Sequence, residues 1–406
     1  MDDDTPLSSA PVVRRRKVFF VPGFDPLGAR RYRELYRKQG RQQAEWAGYA
    51  LTVEGRPGKG PYGWTARASM DGVETEADIA FLEWADIVKG AMNVSIPRSY
   101  AQLARTLWLY LSSGALIALI RLRYIPMLIA LYPAVILTLY LVVCGMIGWG
   151  LAEGLVLFGL SWLLAGPFGI AVFCALMLFL RRKDGKLYVY YLMSDYAYAA
   201  SEGGRMPRDV AERVASFQTR IEAALASDVD EVLIVGHSSG AQIAVHLAAR
   251  VTRPQNGPEL ALLTLGQVIP MVSFLPTARD LRGDLQRASL RPDLCWIDIS
   301  APSDGACFAL ADPVDVSGAS PGKDVKRWPI VVSAKFSRAL SERQHQELKG
   351  RFFTKHVQYL RAFERVQDYD YFAITAGPMT LRERFGWRGS SAGAVWDVMS
   401  PHRDME

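Results

Sequence analysis

The chain predicts an α/β fold: a doubly wound, mostly parallel sheet with an inserted two-helix transmembrane hairpin. Three observations carry that reading. Short runs rich in aromatic and β-branched residues alternate with segments of helical period. Between residues 124 and 180 a single charged side chain, Glu153, occurs. The pentapeptide GHSSG, residues 236–240, stands between the apolar run VLIV and the small-residue run AQIAVHLAA.

At 406 residues the chain has ample length for a full core. Its first segment, MDDDTPLSS, is acidic, and residues 1–14 are expected to form a disordered tail. The apolar run after the basic cluster Arg14–Lys17 stops at Pro22-Gly23, too short for a signal-peptide core, so the N-terminus is expected in the cytoplasm. Residues 15–103 then read as the first part of the sheet domain. Strands are expected at 17–22 (KVFFVP), 48–53 (GYALTV) and 79–83 (IAFLE), and a later one at 187–191 (LYVYY).

Residues 104–183 read as a membrane insertion. The apolar block is too long for one span and suits two helices of about 20 to 26 residues, each able to cross about 30 Å of hydrocarbon. One span is expected from about 125 to 147, a tight turn at GWGLAEG, and a second from about 155 to 180. The preceding LWLYLSSGALIALI, 107–120, is short for a span and reads as an interfacial helix, with a third span as the alternative. Arg98, Arg105, Arg121, Arg123, Arg181, Arg182, Lys183 and Lys186 cluster around the block. That placement turns the net charge of +6 towards lipid headgroups and away from nucleic acid, and puts both outer ends on the cytoplasmic side. The expected protein is integral to the inner (cytoplasmic) membrane, with its sheet domain in the cytoplasm.

Residues 184–383 resume the alternation. Val210, Val214, Phe217, Ile221 and Leu225 share one helix face. Strand 231–235, helix 240–251, strand 261–265, helix 277–288, strands 294–299 and 329–334, and helix 340–363 follow. Strands alternating with helices mean a mostly parallel sheet. Residues 384–406 form a C-terminal tail with no assigned place. Of four cysteines, Cys144 and Cys174 lie in the apolar block and Cys295 and Cys307 are isolated, so neither disulfides nor zinc are expected.

A Gly-x-Ser-x-Gly motif carries chemistry only on a strand-turn-helix, where the serine occupies a strained turn and the glycines admit a close strand-helix approach. Glu231 to Val235 supply the strand, and Ala241, Ala244, Ala248 and Ala249 a helix able to lie close to it. Here the sequence resembles the α/β-hydrolase superfamily, in its lipase and esterase branch. The glycine spacing selects Ser238 as nucleophile, flanked by Gly236 and Gly240. A serine needs a base to take its proton, and the base an acid to fix its tautomer. In this superfamily the order is Ser, then Asp or Glu, then His.

Of five histidines, His237 and His246 precede any acid, leaving His345, His356 and His402. His356, in HVQYL, looks like the histidine loop of lipase-like relatives; His402 is the alternative. For the acid, Asp298 lies within a strand and is committed to a sheet face, whereas Asp304 lies in the loop beyond it and can reach a histidine. Asp312, in ADPV, is the alternative to Asp304. The resemblance implies an oxyanion hole from the backbone N–H of Ser239 and, in the loop VFFVPGFDPLG, of Phe24. Pro22 stands there where the family usually carries histidine.

The expected activity is that of a membrane-anchored serine hydrolase, an esterase or lipase acting on acyl-lipid esters through Ser238, His356 and Asp304, with no metal and no cofactor. An acyltransferase or thioesterase would use the same residues. A competitor from another class is a non-catalytic, hydrolase-like module that binds or assembles at the membrane; it predicts a histidine remote from the serine.

Overall fold

A computed structural model describes residues 12–56 and 61–406. The expected tail falls mostly outside those residues, but Val13 is buried and its N–H donates to Pro378 O at 2.9 Å, so the ordered chain begins ahead of residue 15.

Eight strands form one sheet: β1 (Arg15–Val21), β2 (Ala50–Gly55), β3 (Gly63–Met70), β4 (Val73–Phe81), β5 (Glu231–His237), β6 (Glu259–Leu265), β7 (Leu294–Ser300) and β8 (Ile330–Ser333). Their order is β2-β3-β4-β1-β5-β6-β7-β8. Strand β3 runs antiparallel to β2 and β4, and every other neighbouring pair is parallel. Strands β5 and β7 are buried along their whole length, which is why they read as continuous apolar runs. Strand β3 is an addition to the expected strands. It joins β4 through the two-residue turn Asp71-Gly72, both at positive φ, a turn whose twist suits a hairpin.

The helices up to the elbow are α1 (Ala29–Ala47), α2 (Ala85–Met92), α3 (Ile96–Ser112), α4 (Ala115–Leu122), α5 (Tyr124–Leu157), α6 (Trp162–Arg182), α7 (Asp184–Leu187), α8 (Val189–Ala199), α9 (Arg208–Leu225) and α10 (Gly240–Arg250). Helix α9 buries the face read from its spacing. Helices α5 and α6 are long and apolar enough to cross a membrane.

Several sequence expectations are corrected. The run 187–191 belongs to α7 and α8, because the Asp184 carboxylate accepts the free N–H groups of Tyr190 (2.9 Å) and Tyr191 (3.1 Å) and so starts a helix there. The helix expected over 340–363 is broken into Glu342–Leu348, Phe352–His356 and a 3-10 turn, Val357–Leu360; a capping box of Ser341 and Gln344 opens the first. The segment 107–120 is divided between α3 and α4, which meet at a bend of 76°. The GWGLAEG segment is helical, and the chain reverses between Phe158 and Ser161 instead. The reason is packing. Added to Gly148, a Cβ would lie 2.6 Å from Gly169 O, so this glycine admits the close approach of α5 and α6 and makes no turn.

Within residues 384–406, Ser390 and Ser391 lie against the β8 edge, while the N–H groups of Met399 and Ser400 donate to Val316 O and that of Glu406 to Arg279 O. Ser391 N donates to Val331 O at 2.7 Å, the hydroxyls of Ser390 and Ser391 accept from Val331 N and Ser333 N, and Val395 bridges to Ala311. Backbone groups of an edge strand are thereby satisfied.

Candidate active site

Strands β1 and β5 are neighbours, but the chain leaves β1 towards β2 on one side and leaves β5 towards β6 on the other. Ligands of parallel α/β sheets bind at the carboxyl ends of strands where the winding reverses in this way. Two loops meet there: Pro22-Gly23-Phe24 after β1, and the elbow His237-Ser238-Ser239 after β5.

Backbone contact holds these loops together. A Cβ on Gly240 would lie 2.3 Å from Pro22 O and 2.5 Å from Val21 O, and one on Gly236 would lie 2.6 Å from Ala244 Cβ. The first glycine therefore lets α10 start against β1, and the second lets it lie on β5. Between them Ser238 takes φ 57°, a left-handed conformation that side chains other than glycine rarely adopt. Its N–H donates to Leu265 O at 2.9 Å, which ties the strained residue to β6.

The acid loop follows β7. Asp304 closes a turn with its N–H on Ala301 O (2.9 Å), and the residue is 2% exposed. The carboxylate accepts from His356 Nδ1 at 2.8 Å, from Tyr359 OH at 3.0 Å and from Ala306 N at 3.0 Å. Burial pushes this carboxyl up, but the His356 imidazole, as charge and as donor, together with the Ala306 N–H, outweighs burial and holds it below the usual carboxylate range. Asp304 is thus an anion at neutral pH. With Nδ1–H given to it, His356 keeps Nε2 as its acceptor nitrogen.

Ser238, His356, Ser239 and Phe24 all line one cavity of about 160 Å³. Among the described residues no hydrogen bond joins Ser238 to His356. The Phe24 N–H, expected to face the oxyanion, instead donates to Ser239 Oγ at 2.8 Å. Gly23 permits that contact, since its loop approaches the elbow closely enough for a Cβ to lie 3.4 Å from the same Oγ. The Ser239 N–H, at the start of α10, has no acceptor among the described residues.

The alternatives lie elsewhere. Asp298 faces β6, accepting from Thr264 Oγ1 at 2.6 Å. Asp312 caps the turn Pro313–Val316 and pairs with Lys326. His402 Nε2 is bonded to Ser113 O at 3.2 Å. Among the described residues no three His, Cys, Asp or Glu side chains converge to hold a metal ion.

Two further residues position the site. Tyr359 donates to Asp304 while accepting from Ala301 N at 2.9 Å, so it clamps the acid to its loop. His237 Nε2 donates to the His356 carbonyl at 3.0 Å, and burial followed by the nearby His356 lowers it to about 3, so it stays neutral and holds the histidine backbone. The spacing of His356 and Tyr359, three residues apart on one short turn, was the signal for the first. The second had none. Compared with protein-family models, curated proteins and solved structures, the chain matches none.

Proposed function

We propose that the protein is a membrane-anchored serine hydrolase of the α/β-hydrolase type, cleaving carboxylic esters of acyl lipids. One observation carries this reading: a buried His356–Asp304 pair at 2.8 Å shares a cavity with a serine at φ 57° on a strand-turn-helix. Ser238 Oγ attacks the ester carbonyl while His356 Nε2 takes its proton. Asp304 fixes the tautomer and stabilises the imidazolium. The oxyanion is held by the Ser239 N–H and, once Ser239 Oγ yields to it, by the Phe24 N–H. His356 then protonates the leaving alcohol, and water attacks the acyl-enzyme by the same route in reverse.

Four features support a lipid substrate at a membrane. At about 1.5 Å per residue α5 extends about 51 Å, well beyond the hydrocarbon thickness, so its first turns are free to belong to the domain. Those turns supply Pro126, Ile129 and Ala130 to the cavity wall. Around them Tyr124, Leu128 and Phe352 are exposed, an apolar apron beside the cavity. Arg121 and Arg123 precede the helical hairpin and Arg181, Arg182 and Lys183 follow it, which by the positive-inside rule puts both ends in the cytoplasm. At its far end Trp149 packs on Trp162, ring centroids 5.5 Å apart, as aromatic residues do at membrane interfaces.

The test is labelling of membranes with a fluorophosphonate probe. Wild type is expected to label at its mass of 45.1 kDa, and Ser238→Ala to remain unlabelled while staying in the membrane pellet after alkaline carbonate washing. A folded wild type that refuses the probe refutes the enzyme reading.

A further inference from the structure

The cavity holds a polar group that ester hydrolysis does not use. Asp195, on α8, lines it, and among the described residues the carboxylate has neither a salt bridge nor a hydrogen bond. Asp25, the other carboxylate on the wall, is fully engaged: it accepts from Tyr32 OH at 2.7 Å and Leu27 N at 2.8 Å. Tyr191 and Tyr110, whose hydroxyls feel the Asp195 charge, give their protons to the carbonyls of Phe24 and Met271. Burial pushes Asp195 up to about 7, opposed by His356. The residue is half-buried, so its carboxyl opens into the cavity and is not sealed in the core. No packing need accounts for it, and a ligand would.

Its place indicates which part of the ligand. Asp195 lines the same cavity as Ser238 and His356. The acyl chain of a lipid ester offers a carboxyl no polar group, so the part of the ligand that meets Asp195 is the alcohol portion. Among the described residues no Lys or Arg lines the cavity, so a phosphate-bearing head would meet carboxylates without a counter-charge. A hydroxyl satisfies the group in both its states, accepting from the protonated carboxyl and donating to the ionised one; an ammonium satisfies only the ionised state.

We propose that Asp195 is a specificity-determining residue that binds a hydroxyl of the alcohol portion, so that the cavity selects acyl esters of polyols, the monoacylglycerols among them, over esters of simple alcohols. The proposal rests on the hydrolase reading of the same cavity. Its test uses the full chain in detergent micelles with a monoacylglycerol and the methyl ester of the same acid, and a non-cleavable glycerol monoalkyl ether as a binding probe. Wild type is expected to favour the glycerol ester by about ten- to a hundredfold in kcat/KM, the scale of one hydrogen bond to a charged group. In Asp195→Leu that ratio falls towards one and the ether no longer raises Tm, whereas Asp195→Asn, which keeps an acceptor, retains most of both. Equal kcat/KM for the two esters in wild type, or a ratio preserved in Asp195→Leu, overturns the proposal. So does a choline ester that outpaces the glycerol ester and loses that advantage in Asp195→Leu, which would assign the group to an ammonium. Wild type that binds the ether in an Asp195-dependent way but cleaves neither ester leaves the head-group site standing and refutes the hydrolase reading instead.

Discussion

Replacing Gly240 by alanine tests whether backbone contact between α10 and β1 is what assembles the site. The new Cβ would sit 2.3 Å from Pro22 O and 2.5 Å from Val21 O, both main-chain atoms. Ordinary contact begins near 3.4 Å, so one side must retreat by about 1 Å. Val21 ends a strand held on both sides by β4 and β5, so the movement falls on the Pro22–Phe24 loop or on the start of α10. Either one separates Phe24 from Ser238. Overpacking of this kind costs about 1–3 kcal/mol, and misplacing reacting groups by about 1 Å costs about a hundredfold in rate. The assay pairs the second-order rate of fluorophosphonate labelling with thermal unfolding in detergent. Gly28→Ala, where a Cβ meets nothing within 4 Å, serves as control. A Gly240→Ala protein with wild-type Tm and a labelling rate within about threefold of wild type would refute the argument.

Three further outcomes are expected. Asp304→Asn removes the anion that fixes the His356 tautomer, and labelling should fall by about three to four orders of magnitude while far-UV circular dichroism is kept. Burial raises Asp298 from its ordinary 3.8 to about 8, so the unfolded chain sheds this proton first and stability declines as pH climbs between those values; Asp298→Asn, which mimics the protonated acid, should make the fall of Tm between about pH 5 and pH 8 shallower. Asp195 and Asp312 are raised in the same sense, to about 7 and about 6, so the slope should lessen without vanishing. Gly148→Leu drives a side chain into Gly169 and should lower Tm in detergent, whereas Gly145→Leu, with open space around it, should leave Tm in place.

What the sequence revealed depended on how much apolar contrast each element carries. Strand β5 is legible because both its faces are buried, and the elbow because its glycines are demanded by contact. Strand β3 alternates just as faithfully, but its inward residues include Ala66 and Ala68, whose small side chains make a faint signal. The aromatic run at 187–191 looked like a strand until the Asp184 side chain, three residues upstream, capped a helix through it. Glycine spacing singled out Ser238, a place in the loop after β7 favoured Asp304, and the likeness of HVQYL to a family loop favoured His356, while chain order only narrowed the choice and left Asp312 and His402 open. His237 and Asp195 were out of reach of such reasoning. One acts on a main-chain carbonyl 119 residues away, and the other matters through the partner it lacks.

The first turns of α5 bear on how this protein can be handled. Ile125 and Ile129 pack around Gly305, next to Asp304, while Pro126 and Ala130 wall the cavity. Excising the apolar helices to obtain a water-soluble domain would therefore strip one wall from the cavity and the support from the loop that carries Asp304. A soluble version calls for retaining residues 124–130 and redesigning the outward side chains beyond them, so that the anchor is repainted and not removed.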